Sequence, residues 1–126
     1  MPETITSLIE KLEGAEVGSV ELDALIYSHL NCTLIPRRAD YRPRRRWPDG
    51  SMTHQRKVTT SLDAALALAE RVGIRPYQAD ASIKGRWSWM VVTESRLGNL
   101  EANPYARATA STPALALCAA ILRAKQ

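Results

Sequence analysis

The chain has 126 residues, 45% of them hydrophobic, and carries 17 basic against 13 acidic side chains for a net charge of +4; this suits one compact domain and argues against wholesale disorder. Its longest apolar run, Ala114 to Leu122, has nine residues, short of the roughly 18 that a membrane span needs. Glu3, Glu10, Glu13 and Glu16 without a basic lead argue against a signal peptide, and two cysteines, Cys32 and Cys118, are too few for a disulfide scaffold, so a reducing cytoplasm is expected.

Ile5, Leu8, Ile9 and Leu12 recur at i, i+3, i+4 and i+7 and predict a first helix, which the stretch from Gly14 to Gly18 breaks. Ser19 is an N-cap candidate for a second helix, with Glu21 and Asp23 near its positive end and Leu22, Leu25, Ile26 and Leu30 as its buried face. Asp23 and Glu70 both read as solvated. A short strand is expected at Thr33 to Ile35. Residues 36–57 then read as a long basic loop, interrupted by Pro36, Pro43 and Pro48 and turned at Pro48-Asp49-Gly50. Loops of this length are usually functional or disordered.

A third helix is predicted from about Leu62 to Val72, capped by Thr60 or Ser61, with Asp63 in its first turn and Gly73 at its end. Tyr77 to Ile83 and Arg86 to Thr93 read as strands joined by a tight hairpin at Lys84-Gly85. In the second of these, Trp87, Trp89, Val91 and Thr93 share one face and Ser88, Met90 and Val92 the other. Both faces are largely apolar, which predicts a central strand covered on both sides. Leu97-Gly98-Asn99 marks the next turn and Tyr105 to Ala110 a third strand. Thr112 as N-cap and Pro113 at the first position open the last helix, which is apolar all round and ends in Arg123 and Lys125. The order predicts an α+β fold in one domain over residues 1–126, with a small antiparallel sheet of three or four strands between helical layers.

His29 and Cys32 lie three apart, and His54 and Cys118 complete a conceivable four-ligand set. Structural zinc usually shows two close-spaced pairs, so no metal is expected, and Cys118 on its apolar helix reads as a small hydrophobe. No Gly-rich phosphate loop, nucleophile elbow or paired-carboxylate motif is present. The chain therefore reads as non-enzymatic and without a cofactor.

Arginine outnumbers lysine 13 to 4, and arginine is the residue that grips phosphate bidentately and stacks on flat rings. Residues 35–57 hold Arg37, Arg38, Arg42, Arg44, Arg45, Arg46, Arg56 and Lys57 against Asp40 and Asp49, so the rest of the chain is net acidic. Arg42, Arg44, Arg45 and Arg46, framed by Tyr41 and Trp47, suit a ligand that has both phosphates and bases. The competing reading is a solvated loop that pairs with acids on a neighbouring subunit. Arg107, Thr109, Ser111 and Thr112, before the last helix, form a second anion candidate through that helix's unpaired N–H groups. Thr112 as an ordinary cap is the alternative. Trp87 and Trp89 are either core or, at a groove, base-stacking.

Leu8-Ile9-Glu10-Lys11-Leu12-Glu13-Gly14-Ala15 followed by Glu21-Leu22-Asp23, then Trp47-Pro48-Asp49-Gly50, Thr59-Thr60-Ser61-Leu62-Asp63-Ala64-Ala65-Leu66 and the closing Thr112-Pro113-Ala114-Leu115-Ala116-Leu117-Cys118-Ala119-Ala120, resemble the phage ABA-sandwich domain family of small phage and prophage proteins. The resemblance implies an α/β/α sandwich. It also implies kinship with the similar-looking Thoeris anti-defence type, homo-oligomeric sponges that bind cyclic ADP-ribose isomers or cyclic dinucleotides without cleaving them. The leading expectation is thus a sequestering protein of the host cytoplasm with a pocket at a subunit boundary. Arg107 and the last helix start would hold phosphate, arginines 42–46 would clamp it, and Trp47 or Trp87 would stack on a base. The rival expectations are a nucleic-acid-binding phage accessory protein that uses the same arginines, and a structural or assembly protein with no small ligand.

Overall fold

Thr4 starts the first helix by accepting the Ser7 N–H on its side-chain oxygen, and α1 (Ile5–Gly14) buries Leu8, Ile9 and Leu12 as the periodicity requires. The computed structural model describes residues 4–35, 44–81, 85–96 and 103–126. Ser19 caps α2 (Val20–His29). Its end is a left-handed Asn31 (φ +65°), with Asn31 N–H donating to Ser28 O and Cys32 N–H to Tyr27 O, a helix stop that gives carbonyls of the last turn their partners. This stop turns the chain directly into β1.

Two antiparallel sheets follow. The smaller has the order β1-β2-β3, made by β1 (Thr33–Ile35), β2 (Arg44–Arg46) and β3 (Met52–His54). Ser61 caps α3 (Leu62–Arg71), and the larger sheet has the order β4-β5-β6 from β4 (Ile74–Ala81), β5 (Trp87–Thr93) and β6 (Tyr105–Ala110). Thr112 then caps α4 (Pro113–Ala124), with Pro113 at its start.

The α+β class and a small antiparallel sheet accord with the sequence; the second sheet is unexpected, the described helices gather on one face of the larger sheet and do not enclose it, and two boundaries differ. Residues 44–54 are not a loop: β2 and β3 form a hairpin whose turn puts Pro48 second and Gly50 fourth, closed by Gly50 N–H to Trp47 O and Trp47 N–H to Ser51 O, both 2.9 Å. Gly50 takes φ +91°, which a side chain would strain. The rest of the expected loop, residues 36–43, lies outside the described residues. Strand β4 starts at Ile74 and not at Tyr77. Pro76 is tolerated because β4 is an edge strand, and a bulge between Pro76 and Gln78 absorbs the irregularity.

Helix α4 is the centre of the core. Ten of its twelve residues are buried; it packs on β5 and β6, and α1 and α3 pack on it in turn. Ile74, Val91, Ala108 and Ala110 supply the sheet's side of this cluster, and the four helices bury their apolar residues in it, whereas Met90 and Val92, on the other face of β5, are not part of it. That other face is lined by Tyr77 and Tyr105, whose rings meet edge-on at 5.9 Å. No helix among the described residues is long and apolar enough to cross a membrane.

The segment joining α1 to α2 is pressed against the turn before α3. A Cβ on Gly18 would stand 2.2 Å from the Thr59 carbonyl oxygen, so only glycine fits there. Ser19 N–H donates to Thr59 Oγ1, which donates to Asp23 Oδ1, and Thr59 N–H donates to the same oxygen at 2.9 Å. Asp23 is therefore 2% exposed, where its charge suggests a solvated face.

Candidate anion-binding face

The triplet Arg44-Arg45-Arg46 alternates exposed, buried, exposed along β2, because successive side chains of a strand point to opposite faces. Arg45 points inward and is 4% exposed. Its Nε donates to Gln55 Oε1 at 2.9 Å, Nη1 to Ser28 Oγ and Cys32 O, and Nη2 to Ala24 O at 3.4 Å. All three guanidinium nitrogens serve the α2 end and the β3 exit, so Arg45 is a structural cross-link and no ligand clamp. Burial pulls its pKa below the usual arginine value.

Trp47 is corrected in the same way. It is buried in the core cluster, tilted against Tyr27 at 6.2 Å, and covered by the Arg71 guanidinium 4.8 Å from its ring centre. Arg71 is itself held by Asp49 Oδ2 at 3.0 Å and by Ser51 Oγ. With the Arg71 guanidinium over one face and only 9% of the residue exposed, Trp47 does not stand out as a stacking platform.

The second predicted site does not assemble. Arg107 and Thr109 sit on β6, paired with Met90 and Ser88 of β5. Thr112 spends its Oγ1 on the Leu115 N–H. The end of α1 fills the surroundings: Ser111 Oγ donates to Ala15 O and Glu16 O, Arg86 donates to Glu13 O and Thr109 O, and Arg123 pairs with the Glu13 carboxylate at 2.8 Å while donating to Arg107 O. The anion beside this strand is the chain's own Glu13. Arg107 and Thr112 are five residues apart on an extended segment, about 17 Å. Trp87, 37% exposed, stands at the start of β5 opposite Ala110, on the face that meets α4. Arg42 lies outside the described residues.

What remains of the arginine cluster is a face. Arg44 and Arg46 are exposed on the same side of β2, with His54 opposite Arg44 and Met52 opposite Arg46 on β3. The chain continues from His54 through exposed Arg56 and Lys57, which with His54 line a hollow of about 580 Å³. Val20 and Ser61 also line it, so α2 and α3 both begin there and their positive ends add to the basic side chains. Asp23 forms part of its wall. Burial raises the Asp23 carboxyl pKa, opposed by the Thr59 hydrogen bonds and by the charge of Lys57.

The sequence did signal part of this. Asp23, Ile26, Tyr27 and Leu30 fall at i, i+3, i+4 and i+7, so the acid occupies a position on the buried stripe of α2. No local pattern links Arg71 to Trp47, 24 residues away in sequence. The four conceivable zinc ligands are not gathered: among the described residues, no group of three or more His, Cys, Asp or Glu side chains stands close enough to hold a metal ion. Compared with protein-family models, with curated proteins and with solved structures, the chain matches none.

Proposed function

We propose that this chain is a non-enzymatic binding protein for a phosphate backbone, a nucleic acid held along the outer face of the small sheet. The observation that carries this reading is the exposed track Arg46, Arg44, His54, Arg56 and Lys57, which combines two strands of one sheet with the segment that follows them. Arg44 and Arg46 lie on an open sheet face and not inside a walled cavity, which suits a linear polyanion better than a small enclosed ligand. The sequence between β1 and β2 adds Arg37, Arg38 and Arg42 to the same region of the chain.

Fluorescence anisotropy with single- and double-stranded oligonucleotides tests it. If Arg44, Arg46, Arg56 and Lys57 each neutralise one phosphate, log K falls against log salt with a slope of about −3.6 on duplex, or roughly 100-fold between 50 and 200 mM salt. The R44A/R46A pair reduces that slope by about 2. Absent binding, or binding indifferent to both salt and these substitutions, refutes the reading.

A second reading rests on a different observation. A hollow of about 410 Å³ beside Trp47 is lined by His29, Asn31, Asp49, Arg71 and Lys125, a volume within the range of small-ligand sites. It supports a phage anti-defence protein of the cytoplasm that sequesters a cyclic nucleotide, with the site near Trp47 and away from Arg107. Calorimetry with cyclic dinucleotides and cyclic ADP-ribose isomers decides: heat that K125A removes and that 200 mM salt spares supports sequestration, and no heat from any of them rejects it.

A further inference from the structure

The hollow at the end of the basic track has one wall that phosphate alone does not explain. Asp23 is 2% exposed, and one of its oxygens, Oδ1, accepts both hydrogen bonds from Thr59. Its other oxygen, Oδ2, has no hydrogen-bond partner among the described residues, yet Asp23 lines the hollow. That oxygen is not sealed away: it keeps access to solvent through the hollow. Set facing basic side chains in a space of about 580 Å³, it is an acceptor open to an N–H or O–H from a ligand that the cations hold by its charge. Lys57 is near enough to Asp23 to act on its carboxyl by charge, so the two chemistries share one hollow.

We propose that this hollow is a mononucleotide pocket, in which Arg56 and Lys57 hold a phosphate and Asp23 Oδ2 accepts a hydrogen bond from the ribose or base of the same nucleotide. The inference deepens the phosphate-backbone reading and rests on it: the pocket would take a terminal nucleotide while the outer sheet face carries the strand. The ligand class follows from the pairing of functions. Inorganic phosphate satisfies the cations but can offer Asp23 only an O–H on the anion itself, whereas a nucleoside monophosphate brings neutral N–H and O–H donors set apart from its phosphate. The volume is within the range of small-ligand sites.

Calorimetry of the intact chain with GMP, AMP, ribose 5-phosphate and inorganic phosphate provides the test. The expected result is at least tenfold tighter binding of one nucleotide than of inorganic phosphate, with ribose 5-phosphate matching the nucleotide if ribose is the donor and matching phosphate if the base is. Asp23→Asn keeps an acceptor for Thr59 and replaces the free oxygen by an N–H donor, so it should abolish the preference and leave phosphate binding in place. Lys57→Ala should weaken nucleotide and phosphate together. Equal affinity of all four ligands in the unaltered protein overturns the pocket, and so does a preference that survives Asp23→Asn. Should Asp23→Asn fail to fold, GMP and AMP titrations followed on the Thr59 amide resonance of the unaltered protein replace it, and a resonance unmoved by both nucleotides is equally fatal. Oligonucleotide binding that depends on Arg44 and Arg46 without any mononucleotide preference removes the pocket alone. A mononucleotide preference without oligonucleotide binding removes the strand reading alone.

Discussion

Replacing Arg45 by alanine removes the donors of the buried Cys32 carbonyl and of the half-buried Ala24 carbonyl and Gln55 side chain. Buried acceptors left without a partner each cost on the order of 1–3 kcal/mol, so R45A should destabilise the fold by about 2–4 kcal/mol in urea titration. Its neighbours behave oppositely. Arg44 and Arg46 are exposed and no described hydrogen bond uses their guanidinium groups, so R44A and R46A should leave stability within about 0.5 kcal/mol and act on phosphate binding instead. One substitution that unfolds the protein, flanked by two that do not, is the signature of a strand running through the triplet. Equal effects at all three positions would contradict it.

At the scale of the element, the β2–β3 turn is fastened from outside. Asp49 accepts from the Ser51 hydroxyl and amide and from Arg71, and these bonds, the Ser51 side chain first, pull its carboxyl down to about 2. An unfolded aspartate titrates near 3.9. Because the folded value is the lower one, the contribution of Asp49 is complete above the unfolded value and is lost as pH falls towards 2. Arg71 also covers Trp47, so the Trp47 indole N–H resonance should move with an apparent midpoint of about 2, and D49N should abolish the step. A midpoint near the ordinary aspartate value would mean that the fastening is absent in solution.

Across the whole molecule, the core is one cluster into which all four helices and the larger sheet put their apolar residues. Cys32 and Cys118 both belong to it, and burial pushes both thiols up, that of Cys32 to about 11. Cys118 lies on α4, 0% exposed, with its sulfur donating to the Val58 carbonyl. Reaction of Cys118 with a thiol reagent should therefore need global opening, and its rate should track the unfolding free energy across denaturant concentrations. Fast labelling of Cys118 in the native protein would show that α4 opens independently of the rest.

Local chemistry was legible in the sequence wherever one element sufficed to express it. Ser19 and Thr112 as caps, Pro113 at a helix start, the strand Tyr105–Ala110 and the apolar belt of α4 all depend on near neighbours along the chain, and all stand where the sequence put them. The basic segment misled because arginine reads as solvated unless its partners are known, and those of Arg45 come from α2, from the turn after it and from beyond β3. Asp23 failed for the same reason, since Thr59 lies 36 residues on. Burial of a charge is decided by which groups from elsewhere can satisfy it, and that is a property of packing in three dimensions. The sequence by itself determined the four helices, the strands of the larger sheet and the sign of the charge. Only the tertiary structure decided which of those charges face solvent, and so where an anion can bind.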